Sequence, residues 1–501
     1  RNEHNPFFGG GEDYVSYKGY ADPQESSIDL LNMDVEVDLG FAMLTSATGY
    51  SEVETDGTSE SSGFLRTNIP QYYFGFPRLF APIERSQQVD TFTQELRLVS
   101  QTEGPVDWIV GAYYLERDTD FTINQLAFGL NDYTNNYLGL NPSIDFGDTL
   151  ATGILDSTFE DIAFFGEVTW HITDEWQITG GARFFKQELE GDQGTPLPFA
   201  SRTLDFFYGG DGGNDLLLGG IQSIESDDED SIFKVNTSYD LNEDTLVYFT
   251  WAQGFRAGGA NAIPAYDPLG NNSKFLTFEH DTVENWEIGI KGTLEDRLNY
   301  VATIYNINWE DFQTSLFTQF GIAFVGNLPE ARSRGVELEL NGYLTENITI
   351  GAGYTYIDAE TRKDFEMQVG NPASVVPAGT SLPGSSEHMV SGYMEYNKPL
   401  ENSELVYHLD VSYRSESDSA FIDSPQLVTD NFVHFDSITV VNASVRWEMN
   451  HYTISLFGEN LTNDLGTTIA TSADFFGAQD QGYGVIRPRT WGLRFSWVMD
   501  N

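Results

Sequence analysis

Three groups of side chains have the types and spacing to bind something. The first is aromatic. Tyr72, Tyr73, Phe74, Phe76 and Phe80 crowd one segment, Phe206, Phe207 and Tyr208 a second, and Phe475, Phe476 and Tyr483 a third. Such rings give wide, flat contact to chelates, sugar rings or corrins, and they serve equally to pack loops together or to meet lipopolysaccharide. The second group is made of hard oxygen donors. In Gly209-Gly210-Asp211-Gly212-Gly213-Asn214-Asp215-Leu216-Leu217-Leu218-Gly219-Gly220, the carboxylates of Asp211 and Asp215, the amide of Asn214 and the backbone carbonyls suit calcium. A flexible glycine-rich loop is the simpler reading. The run Glu225-Ser226-Asp227-Asp228-Glu229-Asp230 would gather divalent ions loosely and reads first as a solvated acidic face. The third group is the seven histidines: His4, His171, His280, His388, His408, His434 and His451. None forms a helical-spacing ligand pair. His280, His388 and His434 fall near long connections where they could meet; ordinary surface histidine is the simpler reading. There is no nucleophile elbow, phosphate loop or metalloprotease motif, so the chain is read as a non-enzyme.

The elements that carry these residues are strands. Trp491, Leu493, Phe495 and Trp497 alternate with Gly492, Arg494 and Ser496. Alternate side chains of a strand point to opposite faces, so this segment has one apolar and one wet face. Trp286, Ile288, Ile290 and Leu294 likewise oppose Glu287, Lys291 and Thr293. Val336, Leu338, Leu340 and Leu344 oppose Glu337, Glu339 and Asn341. Val441, Ala443, Val445 and Trp447 oppose Asn442, Ser444, Arg446 and Glu448, and Trp176, Ile178, Ala182 and Phe184 oppose Gln177, Thr179 and Arg183. Short polar turns sit at Asp38-Leu39-Gly40, Glu103-Gly104-Pro105, Thr173-Asp174-Glu175, Asn242-Glu243-Asp244, Glu295-Asp296-Arg297, Thr345-Glu346-Asn347 and Glu448-Met449-Asn450. Between them lie long connections, roughly 57–88, 124–158, 191–230, 259–280, 363–386, 415–436 and 464–487, more than a compact soluble domain holds. Short turns on one side and long loops on the other predict an all-β, transmembrane antiparallel barrel with about 17 strands, a hydrated charged lumen, and Trp170, Trp176, Trp251, Trp286, Trp447, Trp491 and Trp497 in interfacial girdles.

Composition agrees. Lys plus Arg is 25 and Asp plus Glu is 77, a net charge of -52, which excludes a nucleic-acid partner. With 40% hydrophobic and 14% aromatic residues the chain is not disordered. The lack of cysteine excludes disulfides and thiol chemistry and suits an exported protein. No apolar run reaches the roughly 20 residues of a membrane helix.

Several segments then resemble one family. Ala331-Arg332-Ser333-Arg334-Gly335-Val336-Glu337-Leu338-Glu339-Leu340 resembles a mid-barrel strand of TonB-dependent outer-membrane receptors. Gly458-Glu459-Asn460-Leu461-Thr462-Asn463 resembles their penultimate strand, and Pro488-Arg489-Thr490-Trp491-Gly492-Leu493 the closing one. Phe92-Thr93-Gln94-Glu95-Leu96-Arg97-Leu98 and the Gly-Phe-Arg-Ala-Gly-Gly segment within Tyr248 to Gly259 match in the same order. The resemblance implies a 22-stranded barrel around an N-terminal plug. Counted back from the closing strand, residues 1–501 would be a partial barrel, lacking plug, TonB box and about five strands. The closing strand would then have one neighbour, with its apolar row facing lipid and Arg494 in the lumen. Implied is an outer-membrane receptor-transporter of a scarce nutrient, most commonly a ferric siderophore, with lipid bilayer, lipopolysaccharide, the TonB complex (through the absent N-terminal region) and a small ligand as partners. Cobalamin or glycan uptake, a passive porin-like channel and a calcium-dependent surface scaffold stay open. The few basic loop residues weigh against an anionic chelate. Separately, residues 209–220 resemble one calcium-binding repeat of the RTX type, whose neighbours would be needed to complete a site. No other cofactor is implied.

Overall fold

A computed structural model of the chain describes residues 23–60, 81–101, 104–141, 145–199, 202, 220–267, 270–319, 323–421, 434–472 and 481–498. Seventeen strands form one sheet in which each pairs antiparallel with the next in chain order. They are β1 Gln24–Asp38, β2 Ala42–Glu60, β3 Pro82–Ser100, β4 Val106–Leu126, β5 Thr149–His171 and β6 Trp176–Gly194. Next come β7 Gln222–Asn242, β8 Thr245–Arg256, β9 Asp281–Leu294, β10 Leu298–Phe317, β11 Ala323–Thr345 and β12 Ile348–Thr361. The last five are β13 His388–Leu400, β14 Ser403–Arg414, β15 Ile438–Met449, β16 Tyr452–Glu459 and β17 Thr490–Trp497. Among the described residues β1 pairs only with β2, and β17 only with β16. The closing strand therefore has one neighbour.

The alternating rows sort as the sequence predicts. On β17, Trp491, Leu493, Phe495 and Trp497 expose 55–73% of their surface on one face. On the other face the Arg494 guanidinium lies 5.5 Å from the Phe457 ring. Ile162, Phe164, Val168 and Trp170 of β5, Phe233 and Val235 of β7 and Trp286 and Ile288 of β9 continue the outward apolar belt. No helix among the described residues is long and apolar enough to cross a membrane; the strands do it. Short turns carry the expected chemistry. Glu295 and Asp296 both have positive φ, 50° and 54°, the mirror-image turn that matches strand twist. Gly40 N–H donates to Asp38 Oδ1 at 2.7 Å.

Glycines in the lumen-facing rows accept rings from the next strand. Gly111 faces Phe165, Gly289 faces Tyr248, Gly351 faces Tyr393 and Gly492 faces Phe457 in direct register. A Cβ at Gly289 would sit 2.6 Å from the Tyr248 ring, so only a bare backbone lets the ring lie flat.

The structure corrects the loops. β5 and β11 run 23 residues, and β4 and β7 run 21, against the roughly 9–11 that cross a membrane. The surplus lies on the long-loop side. Much of the expected 57–88, 124–158 and 191–230 is therefore ladder, and the segment between β4 and β5 also holds a helix, α1 (Leu130–Leu138). The acidic run 225–230 is part of β7, not a loop face. Polar alternation above the membrane reads as loop because it lacks the apolar row that marks a strand. Two connections were not expected from sequence: the Glu401-Asn402 turn between β13 and β14, and the short link 318–322 between β10 and β11.

Candidate ligand-binding vestibule

β7 and β8 separate part-way up. Their ladder ends at Lys234↔Ala252. Above it β7 stays paired with β6 as far as Gln193↔Gln222, and β8 stays paired with β9 to Arg256↔Asp281. The outer ends of β8 and β9 lie against the lumen-facing row of β6 and β7, as does the connection between them where Ala262 and Ile263 reach Thr195 and Gln193. That row contains Phe185, Gln187, Gln193, Ile224, Asp228 and Asp230, on the face opposite exposed Phe184 and Phe233. Phe255 stacks on Phe185 with centroids 3.9 Å apart and planes at 12°. Ile263 N–H donates to Gln193 Oε1 at 3.2 Å, and Thr195 Oγ1 donates to Ala262 O at 3.1 Å. His280 sits between two carboxylates, its Nδ1 against Asp228 and its Nε2 3.2 Å from Asp230 Oδ2.

The same segment is held more densely on its other side. Asp281 is almost fully buried, and its Oδ2 accepts from Arg256 Nε at 3.1 Å, Arg256 Nη2 at 2.5 Å and Gln313 N–H at 3.1 Å. Three donors on one oxygen take the place of the water a buried carboxylate would otherwise need. Gln313 Nε2 donates to Ala257 O at 2.9 Å and Glu279 O at 3.0 Å. Asn327 Nδ2 donates to Glu279 O at 2.9 Å, while its Oδ1 accepts from Glu279 N–H at 3.0 Å. Asn261 Nδ2 donates to Val325 O at 2.8 Å, and its Oδ1 accepts from Val325 N–H at 2.8 Å. Backbone groups that lost their ladder thus find side-chain amides instead.

Apolar packing joins these pieces at the mouth. Ile224, Ile263, Ala265, Leu276, Leu316, Phe324, Leu328, Phe365, Val376 and Phe421 form one buried cluster. It ties β7 to the segments after β8, β12 and β14 and to the outer ends of β10 and β11, so the loops form a rigid rim rather than separate flaps. Below the rim the lumen row is charged in pairs: Arg183 with Asp161 at 3.0 Å, and Lys234 with Glu167 at 2.8 Å.

The residues singled out from sequence fare unequally. Tyr72, Tyr73, Phe74, Phe76, Phe80, Phe206, Phe207, Tyr208, Phe475 and Phe476 lie outside the described residues, as do Asp211, Asn214 and Asp215. Tyr483 lies in a short strand, Gln481–Val485, with its side chain outside the description. His280, His388 and His434 do not meet. His388 packs on Tyr354 and Tyr356, its Nδ1 3.1 Å from Tyr354 Oη. His434 Nδ1 is 2.8 Å from Asp418 Oδ1 in the ladder that joins Ser417–Asp418 to His434–Phe435. Its imidazole is held above the ordinary histidine value, first by that bond and then by the charges of Asp418, Glu416 and Asp436. His280 is no surface histidine, its side chain being 20% exposed. No cluster of three or more His, Asp or Glu placed for a metal occurs among the described residues. Sequence reasoning missed Phe185, Phe255, Gln313, Asn327 and Asp281. The one available signal was the Gly254-Phe255-Arg256-Ala257-Gly258-Gly259 segment, whose Gly258 has Phe278 O 2.5 Å from where a Cβ would be.

The family model described as TonB dependent receptor-like, beta-barrel matches residues 2–461. The chain belongs to the TonB-dependent receptors. Its sequence is 28% identical to the pesticin receptor of Yersinia enterocolitica over 232 residues, 46% of this chain and 31% of that protein. It is 24% identical to a probable TonB-dependent siderophore receptor, PiuA, of Acinetobacter baumannii, over 42% of this chain and 25% of the other. Among solved structures it resembles the ferric yersiniabactin uptake receptor FyuA of Yersinia pestis, with a TM-score of 0.71 at 16% identity, covering 96% of this chain and 63% of that one. It also resembles the unliganded ferric citrate transporter FecA, with a TM-score of 0.67 at 16% identity, covering 97% and 63%. These structural likenesses bear on the fold. The match thus spans 31% and 25% of these two curated relatives, and 63% of each of the two solved barrels. As a TonB-dependent receptor barrel it is an integral outer-membrane protein, and its relatives are transport receptors rather than enzymes.

Proposed function

We propose that this barrel belongs to a receptor that captures a scarce nutrient complex outside the cell and imports it with TonB-supplied energy, a ferric siderophore being the first choice of cargo. The match to the receptor barrel family over residues 2–461 carries this reading, and relatives named for siderophores support the choice of cargo. In this reading further strands close the gap between β1 and β17, and a plug domain fills the lumen and contacts TonB. The aromatic segments around Tyr72, Phe206 and Phe475 supply ligand contact from the long-loop side, and lipopolysaccharide surrounds the wall. Net charge does not choose the ligand's sign. Much of the acid lies on outward rows such as Glu116, Glu160 and Glu188, away from the lumen. Cobalamin or a glycan remains the alternative cargo within the same mechanism.

The test is uptake by the full-length protein in its own cells, with and without the gene. Iron-55 delivered as a ferric trihydroxamate, a ferric catecholate or ferric citrate should enter only when the gene is present, for at least one chelate, and entry should stop when TonB is removed. Equal uptake of all chelates without the gene, together with loss of labelled cobalamin entry, would replace iron by the alternative cargo.

A further inference from the structure

We infer that a hollow in the outer face of the wall, where the β7–β8 ladder ends, is a binding site for one hydrocarbon tail of a phospholipid from the inner leaflet of the outer membrane. The inference uses the barrel's place in the membrane and is independent of the cargo.

The hollow is made by missing side chains. Val110, Gly166, Ala182 and Phe233 stand directly opposite one another across β4 to β7, on the outward face. One row nearer the short turns come Val168, Gly180, Val235 and Trp251, across β5 to β8. Gly166, Gly180 and Ala182 thus form a floor with almost no side chain. A Cβ at Gly180 would meet nothing within 4 Å, so the space above it is open. The rows on either side are bulky, with Phe164 opposite Phe184 above and Trp170 opposite Ile178 below. The Phe233 ring stands edge-on to Phe184 at 6.1 Å, Trp251 lies 6.0 Å from Trp286, and both rings flank the hollow. Its volume is about 730 Å³, within the roughly 300–1,000 Å³ of small-molecule sites.

The hollow is continuous with the lipid-facing belt, since Val168, Phe233 and Val235 beside it each expose 40–50% of their surface. Hydrocarbon therefore fills what the wall leaves open. The two ionic side chains at its margin, Lys234 and Glu167, are spent on each other at 2.8 Å, so no charge is left for a head group. Height selects the leaflet. Gly180 lies four residues beyond Trp176, the first residue of β6. At about 3.3 Å per residue on a strand tilted about 40°, it sits roughly 10 Å above the short-turn edge of a belt about 25 Å tall. Short turns face the periplasm, so this is the half of the membrane whose tails belong to phospholipid rather than to lipopolysaccharide.

The place matters to the wall. The β7–β8 ladder ends beside the hollow, at Lys234↔Ala252. The next N–H, that of Phe233, is taken by Gln253 Oε1 at 3.2 Å. Backbone at the foot of such a seam is costly to leave uncovered in hydrocarbon. A tail packed on Phe233, Val235 and Trp251 covers the last rungs and braces the two strands where their ladder stops.

The test uses the full-length receptor in vesicles of phosphatidylethanolamine, part of it carrying a diazirine midway along one tail. After irradiation, peptide mass spectrometry locates the adducts. Lipid tails are as apolar as the hollow, so the preference comes from fit alone and should be several-fold. Adducts on Val168, Val235 and Trp251 should exceed by that factor those on Val445 and Leu456, which face lipid at a similar height on β15 and β16. Gly180→Leu fills the floor and should bring the two regions level while the barrel stays folded, judged by heat resistance on a gel. Ala182→Leu serves if that variant fails to fold. Even labelling of both regions in the unaltered protein overturns the proposal, as does undiminished labelling of the hollow in a folded, filled variant. Stronger labelling of the hollow by lipid A carrying the same diazirine overturns the assignment to phospholipid.

Discussion

On β4 to β7 the outward row just above the apolar belt runs Glu116, Glu160, Glu188 and Asp227, each directly opposite the next across four strands. On β11 and β12 a comparable outward stretch places Arg332 opposite Glu360 and Arg334 opposite Asp358. The first wall repels itself. Relief is partial: Tyr114 Oη donates to Glu116 at 2.5 Å and lies 3.4 Å from Glu160, and Lys186 pairs with Glu188. The second wall is self-neutralising, with Arg332 Nη2 2.5 Å from Glu360 Oε1 and Arg334 Nη2 2.7 Å from Asp358 Oδ2. Like charges directly opposite cost about 0.2–1 kcal/mol per pair, and opposite charges return a similar amount. One wall therefore depends on the ions around it and the other does not.

The largest expected effect comes from making the second wall like the first. Arg332→Glu puts a carboxylate against Glu360 at a site where both side chains are only about a fifth exposed (17% and 21%). It should lower stability by about 2–4 kcal/mol, read from the urea midpoint of the folded barrel in vesicles. A loss below about 0.5 kcal/mol would mean that the pairs are ornamental and the contrast empty. The reverse exchange is smaller. Glu160→Lys sets a cation between Glu116 and Glu188 and should raise stability by about 1 kcal/mol. A drop would show that Tyr114 already settles the row.

Salt should separate the walls without mutation. From about 10 mM to 1 M the screening length falls from roughly 30 to 3 Å. Amide exchange on β4 to β7 should then slow several-fold, while β11 and β12 hold still or quicken slightly; parallel behaviour of the two walls would erase the distinction. The smallest effect is in the loop after β14, where one cation faces three acids. His434 has its affinity for the proton raised, so its hold on Asp418 is complete below the unfolded value of about 6.5 and is lost as pH climbs through the raised folded value. Exchange at 417–418 and 434–435 should rise beyond its intrinsic pH trend over that range, and His434→Gln should flatten the response.

Strand number and the outward apolar rows were legible because lipid imposes a simple alternation: Trp491, Leu493 and Phe495 have no other place to be. The same signal vanishes above the membrane, where both faces of a strand are polar. Hence Asp228 and Asp230 read as part of a solvated run, though they face inward and hold His280. The seating of the segment after β8 was illegible for a related reason. Its partners, Gln313 and Asn327, are ordinary amides whose role is set by which backbone groups lose their ladder, and that follows from the parting of β7 and β8 at Ala252 rather than from a motif.

The rings laid over glycines have a consequence for assembly. Tyr248 fits over Gly289, Tyr393 over Gly351 and Phe457 over Gly492, each pair on different strands. A strand arriving two residues out of register keeps its apolar row toward lipid, so the membrane cannot detect the fault. The ring can: shifted by two, Tyr248 would meet the side chain of Glu287 or Lys291 instead of Gly289. Such a pair is a key cut for one slot, a check on register that lipid alone does not provide.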